Sequence, residues 1–290
     1  MAGIADFIGN TPMAEIRKLN PNPNVKVYAK LEGNNPGGSV KDRPAYNMIM
    51  SALDRGDINR NTILIEATSG NTGIGMALVA CLFGLRIELV LPSNSTRERV
   101  LTMEAFGAKV TLLDNIELCR DYALEKASKG GFYLLNQFAN PDNYLAHYKT
   151  TGPEIWRDTS QGITHFVSSM GTTGTIMGCS RYFKEKNPAI QIVGCQPTEQ
   201  ASIPGIRRWS REYLPEIYEA ERVDRIMDIT QEEAVETTRR LAREEGIFAG
   251  MSSGGAASAA FRLASELSGG IIVFIACDRG DRYLSSDLFG

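Results

Sequence analysis

Apolar positions along this 290-residue chain fall into short β-branched runs set between stretches of helical period. The runs at residues 26–30, 63–66, 86–91, 109–113 and 132–135 read as strands, and helical patterns separate them. That βα rhythm predicts a parallel sheet. A second series runs through residues 163–168, 191–194 and 271–276, with a helix starting near Gly254 ahead of the last. Two sheet systems account for both series.

Helix boundaries carry mechanisms. Pro44 suits a first helical turn just after Lys41, Ala45, Ile49 and Ala52 share a face, and Gly56 suits a C-terminal stop. Lys41 therefore stands at a helix entrance. Ser95 followed by Glu98 reads as a capping box opening a helix that ends near Gly107, and Thr230 with Glu233 repeats the device.

A hydrophobic content of 43% lets the chain bury a sizeable core, as one large α/β domain or two linked ones. Formal charge is 31 − 34 = −3 with no long basic run, and Arg207-Arg208 is too short to make one, so no nucleic-acid or membrane partner is expected. Residues 1–12 lack a basic region followed by an apolar core, and no later stretch offers the ~18 apolar residues of a membrane span. A soluble cytoplasmic protein is the expectation. Cys81, Cys119, Cys179, Cys195 and Cys277 contain no Cys-x-x-Cys, and most lie in apolar stretches; they read as reduced thiols with no metal site. His147 and His165 are the only histidines and no Gly-x-Ser-x-Gly is present, so both read as structural.

Chemistry concentrates in three places. Lys41 ends a Gly-rich approach, Asn34-Asn35-Pro36-Gly37-Gly38-Ser39-Val40-Lys41, and small-residue loops follow at Thr68-Ser69-Gly70-Asn71-Thr72 and Gly171-Thr172-Thr173-Gly174-Thr175. A lysine amine condenses with a carbonyl to give a Schiff base, and holding that adduct requires separate recognition of a phosphate and of a substrate carboxylate. One positioned amine and two anion cradles point to an aldehyde-phosphate cofactor. Any one of the three alone would read as a helix-start lysine or an ordinary loop. A P-loop is excluded, because Gly-x-x-x-x-Gly-Lys-[Ser/Thr] is absent and Asp42 follows Lys41. The 171–175 loop follows a strand and opens a helix, so its N–H groups and hydroxyls converge where the helix dipole favours an anion. It is the phosphate candidate.

Residues 36–43, 66–73 and 168–178 resemble the signatures of the cysteine synthase family, and the resemblance runs over essentially the whole chain. It implies pyridoxal 5'-phosphate as cofactor and the tryptophan-synthase-β-like architecture, fold type II: two three-layer α/β domains with the cofactor between them. The implied division is 35–145 with 1–12, and 146–290 with 13–34 crossing back. A homodimer is also implied. Ile203-Pro204-Gly205-Ile206-Arg207-Arg208-Trp209 and the stretch from Cys277 through Asp278-Arg279-Gly280-Asp281-Arg282-Tyr283-Leu284 to Ser285 are similar to the B-type members.

Residue roles follow from the same resemblance. Lys41 forms the Schiff base and, once displaced by substrate, removes the Cα proton; proximity makes that transfer effectively intramolecular. Asn71 bonds the cofactor's 3-hydroxyl, Gly171, Thr172, Thr173, Gly174 and Thr175 hold its phosphate, and Ser252, in preference to Ser253, partners the pyridine nitrogen. Thr68, Ser69, Gly70 and Thr72 grip the amino-acid carboxylate, with Gln137 as a further contact. A hydroxyl has too high a pKa to keep that nitrogen protonated, which tilts the chemistry towards β-elimination and replacement. The implied reaction replaces the acetate of O-acetyl-L-serine by sulfide, giving L-cysteine, or by thiosulfate, giving S-sulfocysteine, with ping-pong kinetics.

Arg207, Arg208 and Arg279 are candidates for the positive bias thiosulfate needs, or singly for surface or interdomain ion pairs. Cys277 either lines the pocket or is a buried strand-end thiol, and no catalytic role is assigned to it. Two alternatives stand beside this reading. One is another β-replacement or elimination enzyme of the fold, forming cystathionine or deaminating an amino acid. The other is a non-catalytic binding module, against which intact Lys41, Asn71, Thr172 and Ser252 argue.

Overall fold

The computed structural model describes residues 2–68 and 70–290. Two largely parallel sheets form its framework. The first holds β1 (Met13–Ile16), β2 (Val25–Leu31), β7 (His165–Ser169), β8 (Gln191–Pro197), β9 (Arg225–Ile229) and β10 (Gly270–Ala276), in the order β1-β2-β10-β7-β8-β9. The second holds β3 (Ile63–Ala67), β4 (Arg86–Pro92), β5 (Lys109–Leu113) and β6 (Phe132–Leu134), in the order β5-β4-β3-β6. β1 and β2 form an antiparallel pair, and β2 joins β10 in parallel register with Val27 opposite Ile272. The first 31 residues thus contribute two strands to the sheet completed by the last.

Period-two burial covers both faces of each sheet. Leu64 and Leu89 pack with Met48 and Ile49 of α1 (Asp42–Arg55) and with Ile74 and Met76 of α2 (Asn71–Phe83). Their neighbours Ile65 and Val90 pack instead against Cys119 and Ala123 of α4 (Ile116–Ser128). In the six-stranded sheet Val167, Val193 and Phe274 meet the alanine-rich α9 (Met251–Glu266) and Leu241 of α8 (Gln231–Glu245). Phe166, Ile192 and Val273 face Ile176, Met177 and Phe183 of α7 (Gly174–Lys186) and Ile155 of α6 (Thr151–Asp158). Each sheet is the middle of three layers.

The Thr230–Glu233 capping box forms, and Gly56, at φ 78°, closes α1. Two readings need correction, and two edge strands go beyond the sequence reading. The helix α3 (Arg97–Ala105) is capped by Thr96 without a side-chain bond, so Ser95 lies outside it; the Ser95 N–H turns back to the Pro92 carbonyl, and the Glu98 carboxylate takes the Ser285 hydroxyl instead. α9 begins at Met251 and not near Gly254, because the glycines sit inside it to let α8 approach: a Cβ at Gly254 would come 2.0 Å from Thr238 Oγ1. The edge strands β1 and β9 escape a periodicity reading, β1 having only four residues and β9 exposing Arg225, Ile226 and Asp228.

A buried ionic network joins the N-terminal strands to α1. Arg43 bonds Glu32 through Nε and Nη2, each at 2.7 Å, and Glu154 of α6 through Nη1 at 2.6 Å and Nη2 at 2.8 Å. Lys30 reaches Glu154 at 2.9 Å, Asp158 at 3.3 Å and the Thr11 carbonyl at 2.6 Å. Charges taken from water at this cost persist only when each is fully met. The start of α1, and Lys41 with it, is fixed by that frame.

Candidate active site

A cavity of about 800 Å³ opens beyond the carboxyl ends of β3, β7 and β10, where parallel sheets place their ligands. Its lining brings together Lys41, Thr68, Gly70, Asn71, Thr72, Gln137, Gly171, Thr172, Thr175, Arg207, Arg208 and Ser252. Ser69 lies outside the described residues. Thr173 and Gly174 stand behind the lining.

Lys41 caps α1, with its N–H on Ser39 Oγ at 3.2 Å. Burial pulls its amine below the ordinary lysine range, while Cys277, Asp278 and Glu32 pull the other way. Among the described residues the amine has no hydrogen-bond or ion-pair partner. α2 packs closely on this corner, since a Cβ at Gly75 would come 3.0 Å from the Lys41 carbonyl. A buried amine with lowered proton affinity beside an open cavity is suited to act as a nucleophile.

The loop after β3 is tightly bonded. Thr68 Oγ1 accepts the N–H groups of Gly70 and Gly73 at 3.2 Å, and Thr72 donates to Gln137 Oε1 at 2.7 Å. Below it Glu66 accepts from the N–H of Asn136 at 2.9 Å; burial pushes this carboxyl up to about 7 against the Gln137 and Asn136 donors. Asn71 donates to Asp278 Oδ2 at 2.7 Å and accepts from Arg282 at 2.5 Å.

The loop after β7 has the makings of an anion cradle. No described residue accepts the N–H groups of Gly171, Thr172 or Thr173, and the buried Thr173 hydroxyl is also unpartnered. Thr173 adopts φ 68° at the cap of α7. Asn143 holds the loop from behind, donating to Thr172 Oγ1 at 3.2 Å and to the Gln137 carbonyl at 2.6 Å. The Trp209 indole donates to the Gly171 carbonyl at 2.7 Å, and the Arg207 N–H to the Met170 carbonyl at 2.8 Å. His147 links Thr151, at 2.9 Å, to Thr175, at 3.3 Å; burial, with Arg43 and Lys41 adding to it, lowers this imidazole to about 3 and keeps it neutral.

The two adjacent serines divide. Ser252 lines the cavity, whereas the Ser253 hydroxyl accepts the Cys277 N–H at 2.8 Å. Cys277 also lines the cavity, and burial pushes its thiol up to about 11, with Lys41 opposing. Arg208 is committed to Asp228 at 2.6 Å and to the Pro197 carbonyl at 2.8 Å, and Arg279 to Asp281 at 2.9 Å, outside the lining. Arg99 and Arg120 line the cavity instead, with Tyr283 and Trp209. Arg99 and Arg120 sit singly on α3 and α4 without a motif, and Asp278 becomes visible only when the segment after β10 meets the start of α2.

The residues present fit a pyridoxal phosphate: an unpaired amine, open N–H donors at a helix start, a carboxamide and a hydroxyl around one cavity. A family model described as "Pyridoxal-phosphate dependent enzyme" matches residues 4–278. Cysteine synthase B of Pseudomonas aeruginosa is 57% identical over 289 residues, 99% of this chain and 97% of that one. Among solved structures, O-acetylserine sulfhydrylase isoform 3 of Entamoeba histolytica superposes with TM-score 0.93 at 35% identity, covering 100% and 91% of the two chains. The O-acetylserine-dependent cystathionine β-synthase of Helicobacter pylori gives TM-score 0.92 at 36% identity, covering 100% and 99%. The chain belongs to the pyridoxal-phosphate-dependent enzymes, and within them to the cysteine synthase family.

Proposed function

We propose that this enzyme makes L-cysteine by replacing the acetate of O-acetyl-L-serine with sulfide, and that it also accepts thiosulfate to give S-sulfocysteine. The single observation that carries the catalytic centre is the unpaired Lys41 amine, placed in one cavity with Asn71, Ser252 and the donor-rich turn after β7. Bound pyridoxal phosphate supplies the electron sink that makes the amino-acid Cα–H acidic.

The chain's own residues do the rest. Lys41 would hold the cofactor carbonyl and would serve as the base for the substrate's Cα proton, a role its lowered proton affinity favours. The N–H groups of Gly171, Thr172 and Thr173 and the Thr175 hydroxyl bind the phosphate at the start of α7, with Thr173 and Gly174 shaping the turn. Ser252 meets the ring nitrogen. Thr68, Ser69, Gly70, Thr72 and Gln137 hold the substrate carboxylate and so orient its Cα–H bond. Arg207 presents a cation to the incoming sulfur anion, joined by Arg120, while Arg208 at the same wall is held by Asp228.

The domain division 35–145 with 1–12 and 146–290 with 13–34, with the cofactor between, belongs to the same reading. So do a homodimer and a cytoplasmic location, the latter supported by five unpaired cysteines. No helix among the described residues is long and apolar enough to cross a membrane. The likeness to a cystathionine β-synthase keeps a larger thiol in view as acceptor. Acetate release and amino-acid product from O-acetyl-L-serine with sulfide, thiosulfate or homocysteine separate these. Cysteine and S-sulfocysteine are expected; product with homocysteine alone would contradict the proposal.

A further inference from the structure

Asn71, the first residue of α2, has a carboxamide whose two ends are not interchangeable in this setting. Its nitrogen lies 2.7 Å from Asp278 Oδ2, and its oxygen 2.5 Å from Arg282 Nη1. An ionised carboxylate only accepts and a guanidinium only donates, so each neighbour allows one orientation of the amide, and both allow the same one. Asp278 is itself anchored, taking the Tyr283 hydroxyl at 2.6 Å and the Gly250 N–H at 3.2 Å.

Arg282 does more than hold one oxygen. A second guanidinium nitrogen donates to the Gly37 carbonyl, in the approach to Lys41. Gly38 makes the room: it sits at φ 81°, and a Cβ there would come 2.6 Å from Arg282 Nη2. One arginine eight residues before Gly290 thus touches both the Lys41 approach and the amide at the start of α2. With its oxygen spent on Arg282 and one N–H on Asp278, Asn71 has a single side-chain N–H left, and the residue lines the cavity.

We propose that Arg282, acting with Asp278, is a positioning residue: it fixes Asn71 as a hydrogen-bond donor to the ring-hydroxyl oxygen of the cofactor, and so holds that oxygen in its deprotonated form. This rests on the reading of Lys41 and Asn71 as cofactor contacts. A flipped amide would present an acceptor, and the ring oxygen would then keep its proton to satisfy it. The two protonation forms absorb in different regions, the ionised one in the visible and the neutral one in the near ultraviolet, so the orientation of one amide is read optically.

The experiment uses the holoenzyme. Arg282→Met, matched in length without donors, is compared with the unsubstituted enzyme and with Arg282→Lys by absorption spectrum and by pyridoxal phosphate dissociation constant, with circular dichroism to confirm folding. Losing one charge-assisted bond predicts a shift of roughly tenfold towards the near-ultraviolet form in Arg282→Met. Partial restoration is expected in Arg282→Lys, which keeps a charged donor. Should Arg282→Met fail to fold, Arg282→Gln gives the same comparison, its single amide donor predicting a smaller shift of the same sign. An unchanged band ratio in a folded Arg282→Met or Arg282→Gln holoenzyme overturns the inference alone. Absence of any visible band in the unsubstituted enzyme loaded with cofactor overturns the underlying cofactor reading and this inference with it.

Discussion

Nη1 of Arg43 lies 2.6 Å from Oε1 of Glu154, a pair that joins the first turn of α1 to α6 two residues after Lys41. Burial would raise the Glu154 carboxyl, but Arg43 and Lys30 outweigh it and bring the group down to about 2. Arg43 also holds Glu32, so deleting the guanidinium leaves the buried Glu32 without its ion-pair partner and Glu154 with Lys30 alone. Arg43→Met is expected to cost about 3–5 kcal/mol in denaturant unfolding, the range for breaking a buried pair from one side. Because the Glu154 pKa is depressed on folding, its contribution is complete above the unfolded carboxylate range and is lost as pH falls towards about 2. Glu154→Gln should flatten that acid limb.

Gly174 tests the phosphate turn from behind. A Cβ there would come 2.0 Å from Asn143 Oδ1, and Asn143 ties Thr172 to the Gln137 carbonyl. Gly174→Ala must move Asn143 and loosen both attachments. Cofactor affinity should fall by about 10²-fold, as for losing two hydrogen bonds of ~1.4 kcal/mol each, measured by equilibrium titration of pyridoxal phosphate. Unaltered affinity would place the phosphate elsewhere.

Ser252 and Ser253 should separate cleanly. Ser252→Ala, at the cavity wall, should alter the cofactor's absorption and leave unfolding within about 0.5 kcal/mol of the original. Ser253→Ala strips the acceptor from the Cys277 N–H and should cost about 1–2 kcal/mol with little spectral change. The reverse pattern would show that the wrong hydroxyl has been placed at the ring nitrogen.

His147 is buried and neutral, its pKa lowered to about 3 by burial and by Arg43 and Lys41. An unfolded histidine binds its proton near pH 6.5. The unfolded state therefore holds more protons between about 6.5 and 3, and stability falls as pH drops through that window. Unfolding free energies of His147→Gln, compared at about pH 6 and 4, should show a shallower fall by about one proton per molecule. An unchanged slope would mean that another group governs it.

Much of this was legible beforehand, for identifiable reasons. Central strands such as β3 and β4 are buried on both faces, so apolar runs at 63–66 and 86–91 announced them. Lys41 and the two small-residue loops were readable because helix entry and anion binding restrict residue type locally. The β9 edge strand was not, since the apolar Ile226 is exposed beside the buried Met227, so residue type does not alternate as burial does. Asp278 and Arg282 could not be assigned to Asn71 from sequence, because the pairs are 207 and 211 positions apart and depend on how the segment after β10 meets the start of α2. Arg208 and Arg279 read equally as pocket cations or as single ion pairs; the fold pairs Arg208 with Asp228, twenty positions on, and Arg279 with the nearby Asp281.

The account stands on the Lys41 amine, and borohydride reduction tests it directly. Reducing the cofactor-loaded enzyme, digesting it and locating the pyridoxyl group by mass spectrometry should place that group on Lys41, with Lys41→Ala giving no labelled peptide and no turnover of O-acetyl-L-serine. A pyridoxyl group on another lysine, or an unlabelled Lys41 in an active preparation, would contradict the central assignment.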